Sequence, residues 1–130
     1  MVAIIRVFTG EDGESHFEEL DPTSHPILRS AQPTVEIEFK PMPVGYFNDW
    51  HTAPRRQYVI SLSGEAEVGI GDGTVRRFRP GDVLLADDLT GRGHTTRTIG
   101  DQPHLTAQVR QLIQIKLAHC AVDEVGEPCV

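Results

Sequence analysis

The chain has 130 residues with 38% hydrophobic and 24% charged residues, which is typical of one soluble domain and excludes both wholesale disorder and a membrane protein. Its net charge of -7 opposes a nucleic-acid partner, because such binding needs a clustered basic face. No apolar run approaches the ~20 residues of a membrane helix. Residues 2–8 lack a cleavage-site pattern, so we expect a cytoplasmic protein without a signal peptide or a membrane partner.

The dominant period along the chain is two, which is the spacing of a strand with one buried face. An irregular connection is expected at residues 21–32, and Gly71-Asp72-Gly73 is expected to form a hairpin turn. Strands are predicted over residues 35–39, 58–62, 66–70, 75–78, 82–86 and 112–117. Short strands punctuated by glycine and proline predict an all-β sandwich or barrel, here one domain over residues 1–120 with a tail at 121–130.

Two segments carry a regular spacing of glycine, histidine and proline. The first runs from Gly45 through five residues to His51-Thr52-Ala53, then three residues to Gln57 and six residues to Gly64. The second begins at Arg79-Pro80-Gly81-Asp82 and ends at the loop that contains Arg92 and His94.

These segments resemble the two motifs of the small single-domain bacterial cupins, over about residues 45–94. The first cupin motif is Gly, five residues, His-x-His, three or four residues, Glu, six residues, Gly, and the second ends with a ligand histidine. In the strict register Arg92 falls on that last position, and His94 reaches it only if the turn has two extra residues. The resemblance implies a cupin jelly-roll barrel of antiparallel strands that binds a small molecule and pairs into a homodimer.

The metal-binding motif of this chain is degenerate by comparison with the family. Ala53 and Gln57 occupy the positions where the resemblance implies a second histidine and a glutamate. A divalent ion in such a barrel prefers three histidines and a carboxylate, or two histidines and a carboxylate. We therefore expect no cofactor, with a weakly bound Zn, Fe, Mn or Ni at His51, Gln57 and His94 as the alternative.

His51 is the leading candidate for catalysis, because a pocket histidine near neutral pH is the usual proton shuttle. Strand alternation places Asp49 on the same face, where its carboxylate would orient the imidazole. His94 is expected to join the two at the barrel mouth. The other histidines, His104 among them, are expected at the surface.

Four further residues are predicted to bind a ligand. Arg55 shares parity with His51, and an arginine in the pocket would grip a carboxylate or phosphate. Gln57, Tyr46 and Arg92 complete this set. Two hypotheses stay open from the sequence. One is an enzyme of isomerase, dehydratase or lyase type that uses His51 without a metal, or a weak-site metal enzyme. The other is a non-catalytic cupin that binds a small polar or anionic molecule.

Overall fold

A computed structural model describes residues 2–112, which fold into two β-sheets around one core. No helix in this part of the chain is long and apolar enough to cross a membrane. One short 3-10 helix, Pro26–Leu28, lies in the connection that was predicted to be irregular. The strands are β1 (Ile4–Thr9), β2 (Ser15–Glu19), β3 (Thr34–Met42), β4 (Phe47–His51), β5 (Gln57–Ser63), β6 (Glu65–Gly69), β7 (Val75–Phe78), β8 (Val83–Asp87), β9 (His94–Ile99) and β10 (His104–Gln111).

The larger sheet has six strands in the order β2-β1-β8-β5-β10-β3, and the smaller has four in the order β4-β9-β6-β7. Neighbouring strands run antiparallel, except that β1 and β8 are parallel. The prediction of an all-β barrel of mainly antiparallel strands is confirmed, with this one parallel pair. Parallel neighbours require a long connection, and here most of the chain lies between the two strands.

Both sheets contribute apolar side chains to the core between them. The larger sheet supplies the fully buried Val7 and the nearly buried Ile5. The smaller sheet supplies Val68 and Phe78, which belong to the same cluster. Because each sheet buries one face against the other, the packing explains the alternation of buried and partly buried residues along β1 and β6.

Five of the six predicted strands are present, with bounds that differ by a few residues. The hairpin turn at Gly71-Asp72-Gly73 is confirmed, because the Ile70 amide donates to the Thr74 carbonyl across it. The predicted strand 112–117 falls largely outside the described residues, as do the tail and the domain boundary at residue 120. Residue 112 itself follows β10, which ends at Gln111.

Candidate functional site

A cavity of about 240 Å³ lies between the two sheets and is lined by both of them. Polar side chains from the smaller sheet are Asn48, His51, His94 and Thr96; those from the larger sheet include Gln57, Ser61, His104, Thr106 and Gln108. Apolar contacts come from Val59, Val68, Phe78 and Leu84. The volume is below the ~300–1,000 Å³ of sites for drug-sized molecules, so it suits a smaller compound.

A β-bulge in β4 determines which of its side chains enter the cavity. Asn48 pairs with Thr96, but the register then shifts so that His51 pairs with His94. A bulge adds one residue and reverses the alternation beyond it. Asn48 and His51 therefore both line the cavity, while Asp49 is exposed between them.

The bulge corrects the expected role of the Asp49 carboxylate. That carboxylate accepts a hydrogen bond from the adjacent Trp50 amide at 2.9 Å. It is the backbone carbonyl oxygen of Asp49 that lies 2.6 Å from His51 Nδ1. Asp49 thus orients His51 as predicted by position, but through its backbone carbonyl oxygen and not through its carboxylate.

The loop before β9 places His94, and not Arg92, beside His51. The imidazole centroids of His51 and His94 are 4.4 Å apart, with the rings tilted by 60°. Gly93 adopts a φ of 81°, and a Cβ there would lie 2.0 Å from the His51 carbonyl oxygen. Only glycine permits this close approach of the loop to β4. The turn therefore brings His94, two residues beyond Arg92, beside His51.

A buried carboxylate orients His94. Asp88 is 0% exposed, and its Oδ2 lies 2.6 Å from His94 Nδ1 and accepts a hydrogen bond from Ser15 Oγ at 2.7 Å. Its other oxygen, Oδ1, has no hydrogen-bond partner among the described residues. The histidine and carboxylate pair that was predicted for His51 is therefore found at His94, where Asp88 precedes it by six residues.

These partners assign the tautomers of both histidines. The Asp49 carbonyl oxygen can only accept, so His51 Nδ1 must carry the hydrogen. A carboxylate at Asp88 likewise accepts from His94 Nδ1. In a neutral imidazole the second nitrogen is then an acceptor. Each ring consequently offers an Nε2 lone pair for a ligand or for a proton.

Burial lowers the pKa of His51 below its ordinary value of 6.5, and the neighbouring imidazole of His94 lowers it further. The hydrogen bond to the Asp49 carbonyl and the charge of Asp88 act in the opposite direction. The lowered pKa keeps His51 neutral at neutral pH, as a general base must be before it accepts a proton.

Gln57 and Ala53 decide whether the site fits the metal that cupins often hold. Both line the cavity, and Gln57 Oε1 is buried without a hydrogen-bond partner in the described part of the chain. The strong donors are therefore the two imidazoles, with one neutral amide oxygen beside them. No three histidine, cysteine, aspartate or glutamate side chains within residues 2–112 converge as a ligand group. The residues present do not fit a tightly held divalent ion.

The predicted ligand-binding residues separate into two groups. Tyr46 and Gln57 line the cavity. Arg55 does not, because β4 ends at residue 51 and β5 begins at residue 57, so alternation does not continue through the loop between them. Arg92 is outside as well: its guanidinium stacks on the Trp50 ring at 4.2 Å and lies 3.5 Å from Glu14. Both arginines therefore lie outside the cavity that Tyr46 and Gln57 line.

A second polar group in the cavity was not expected. His104 is 5% exposed, and its Nε2 lies 2.9 Å from Ser61 Oγ, which is also buried. Burial lowers the pKa of His104. The prediction of a surface position was wrong because β10 was not recognised as a strand. Along β10 the polar residues face the cavity, which inverts the usual pattern.

The cavity wall carries positive and neutral groups only. Lys40 and Arg110 line it, and none of its described lining residues is an aspartate or glutamate. Arg110 is ion-paired to Glu36 at 3.4 Å and to Glu38 at 2.7 Å. The absence of lining carboxylates distinguishes this cavity from the rest of a chain whose net charge is -7.

Two facing sheets that enclose a cavity, with both glycine-bounded motifs on its wall, are the architecture of a cupin jelly-roll barrel, as the sequence predicted. Similar solved structures include a Cupin 2 conserved barrel domain protein from Salinispora arenicola CNS-205, at 22% identity and a TM-score of 0.46. That match covers 56% of this chain and 59% of the other.

BH2720 from Bacillus halodurans is similar at 16% identity and a TM-score of 0.47, over 60% of this chain and 63% of that one. The cupin domain of Schizosaccharomyces pombe Cnp3 is similar at 14% identity and a TM-score of 0.44, over 85% and 88% of the two chains. The chain thus spans about six tenths of the first two structures. No protein-family model and no curated protein matches it.

Proposed function

We propose that the barrel binds a small polar or anionic molecule and moves a proton on it, with His51 as the general base. The observation that carries this proposal is the pair of imidazoles 4.4 Å apart, each with Nδ1 already bonded and Nε2 left as an acceptor. The reaction class is isomerisation, dehydration or lyase chemistry, in which a proton leaves a carbon or oxygen next to a carbonyl group.

The two histidines have different parts in this mechanism. His51 is half-buried and neutral, and its Nε2 accepts the proton from the bound molecule. His94 is fixed by Asp88, whose carboxylate stabilises an imidazolium if the proton passes to that ring. Lys40 at the cavity wall favours a ligand with negative charge, because opposite charges attract.

Hydrogen exchange tests this proposal directly. Chelator-treated protein is incubated in D₂O with short hydroxy- and oxo-carboxylic acids, and loss of C–H signals is followed by proton NMR. We expect exchange in at least one compound, and we expect His51→Gln to abolish it while ligand affinity changes by less than about tenfold.

The matched control is His16→Gln, which makes the same chemical change outside the cavity, in an exposed pair with Asp12. This variant should exchange like the wild type. Exchange that persists in His51→Gln would exclude His51 as the base. Lack of exchange in every compound would refute the catalytic proposal.

The alternative is a non-catalytic barrel that binds the same kind of molecule. The buried, unpartnered Gln57 Oε1 supports it, because a polar atom without a partner is expected to bond to a ligand. Binding without exchange would favour this alternative. Stoichiometric metal that survives chelator treatment, measured by elemental analysis, would favour a metal-dependent site instead.

We also propose that the protein is a homodimer that pairs through the outer face of β3. This strand is an edge of the larger sheet, and Ile37 and Phe39 on it are 57% and 65% exposed. Exposed apolar residues on an edge strand usually contact another chain. Light scattering should give the mass of a dimer, and Phe39→Lys should give a monomer. A monomeric wild type would contradict the proposal.

A further inference from the structure

Along β5 the cavity wall is polar at both ends and apolar between them, and Gln108 of β10, which pairs with Val59, adds an amide at the middle level. Gln57, Val59 and Ser61 line it from one face of β5. Four residues at about 3.3 Å per residue separate the Cα atoms of Gln57 and Ser61 by about 13 Å. Val59 lies between them and pairs with Leu84, which also lines the cavity. The order along β5 is therefore polar, apolar, polar.

His51 and His94 belong to the end that contains Gln57. Gln57 pairs with Ala86 of β8, and Asp88, which holds His94, follows two residues later. We call this the acceptor end, because the free atoms of His51, His94 and Gln57 are two Nε2 lone pairs and an amide oxygen. The two imidazole acceptors at this end favour a ligand group that donates a hydrogen bond, and a hydroxyl group can also accept one from the Gln57 amide nitrogen.

Ser61 and His104 form the other end, which we call the donor end. A neutral imidazole has one N–H and a serine has one O–H, and the bond between them uses only one of these two hydrogens. When His104 Nε2 carries the hydrogen and donates it to Ser61 Oγ, the serine hydroxyl remains free to donate to a ligand. Burial, which lowers the pKa of His104, keeps the imidazole in this neutral form.

A cation lies beside the donor end. Lys40 pairs with Thr106 across β3 and β10, and the Thr106 hydroxyl donates to the Lys40 carbonyl oxygen at 2.9 Å. Thr106 in turn pairs with Ser61 on β5, so all three residues lie at one level of the larger sheet. Ser61, its partner His104 and the cationic Lys40, which also lines the cavity, together suit a carboxylate at this end.

We propose that the cavity takes a short, unbranched acid with its carboxylate at the donor end and a hydroxyl group at the acceptor end. This inference rests on the proposed binding function and adds the polarity and length of the ligand. Hydrogen bonds of about 3 Å at each end leave roughly 7 Å for the ligand. An ammonium group is disfavoured at the acceptor end, because Arg110 pairs there with Gln57.

Calorimetric titration of the chelator-treated protein with three series of probes tests the inference. The series are ω-hydroxy acids from γ-hydroxybutyrate to ε-hydroxycaproate, diols of matched length, and dicarboxylates of matched length. We expect a hydroxy acid to bind most tightly, and its matched diol and dicarboxylate to bind at least roughly tenfold more weakly. The diol lacks the charge for the donor end, and the dicarboxylate places a second acceptor against acceptors.

Variants locate the carboxylate. Ser61→Ala and Lys40→Met should each weaken hydroxy-acid binding by about tenfold, and Lys40→Met should leave diol binding unchanged because a diol carries no charge. Lys40 is exposed, so its variant tests the inference even if Ser61→Ala fails to fold. Ser63→Ala, an exposed change on the same strand, is the matched control. Unchanged affinity in Lys40→Met, equal binding of the dicarboxylates, or no binding in any series overturns the inference. The hydrogen-exchange experiment in D₂O tests the proposed function independently of these binding measurements.

Discussion

Ser15→Ala tests the buried network behind His94. Ser15 is 2% exposed, and its hydroxyl donates a 2.7 Å hydrogen bond to the fully buried carboxylate of Asp88. Asp88 Oδ1 has no partner among the described residues, so Ser15 and His94 are the two side chains that satisfy this carboxylate. Without the Ser15 hydroxyl, the buried Asp88 carboxylate keeps His94 as its one side-chain hydrogen-bond partner among the described residues.

The expected cost follows from the charge of the acceptor. A hydrogen bond to a charged group contributes about 1.5–3 kcal/mol, and the leftover acceptor is desolvated. We expect the free energy of unfolding to fall by about 2 kcal/mol, which for a chain of this size lowers the Tm by roughly 6–8 °C. Urea unfolding followed by circular dichroism measures both the midpoint and the slope.

Ser63→Ala is the matched control, because Ser63 is exposed at the end of β5. It should change stability by less than about 0.5 kcal/mol. If Ser15→Ala and Ser63→Ala have the same stability, the reasoning about a buried, doubly bonded Asp88 is refuted.

Three further changes have expected outcomes. Gly64→Ala should lower the free energy of unfolding in urea by several kcal/mol, because a Cβ there meets a backbone carbonyl oxygen at 2.1 Å. Gly45→Ala has open space around the new Cβ, so it should lower this free energy only by the ~1–2 kcal/mol of a positive φ. Equal costs would contradict this contrast. The double variant Ala53→His, Gln57→Glu should retain about one zinc per chain after dialysis, measured by elemental analysis, because the cavity then contains four strong metal ligands. A metal-free double variant would show that these side chains do not converge on one point. Burial lowers the pKa of His104, so this ring binds fewer protons in the folded protein than in the unfolded chain, and the free energy of unfolding should fall as the pH is lowered from about 7.5 through 6.5. His104→Gln should show a smaller fall over this range, and an equal fall would contradict the lowered pKa.

Local sequence spacing was sufficient to predict the barrel and part of its site. The spacing of Gly45, His51 and Gly64 along the chain matches two consecutive strands and their turns. Within such a short segment, the residue spacing determines where each side chain lies in space. His51 and Gln57 accordingly line the cavity as expected. His94 was predicted only conditionally, because the length of its turn depends on how Gly93 approaches β4.

Other parts of the site depend on features that alternation alone does not report. The bulge in β4 exchanged Asp49 for Asn48 on the cavity face, and no residue type in that segment signals a bulge. β10 was missed because its buried face is polar, whereas strand prediction assumes an apolar one. Ser61 and His104 are 43 residues apart, so only the pairing of β5 with β10 brings them together.

The tautomers of His51 and His94 test the central claim most directly. Two-bond nitrogen–proton correlation spectra of the imidazoles, recorded above the ordinary pKa of 6.5, distinguish a protonated ring nitrogen from one with a free lone pair. The geometry predicts a hydrogen on Nδ1 and a free Nε2 in both rings, with the Nε2 signals perturbed by a bound hydroxy acid. A hydrogen on Nε2 of either ring would contradict the claim that this pair faces the cavity as proton acceptors.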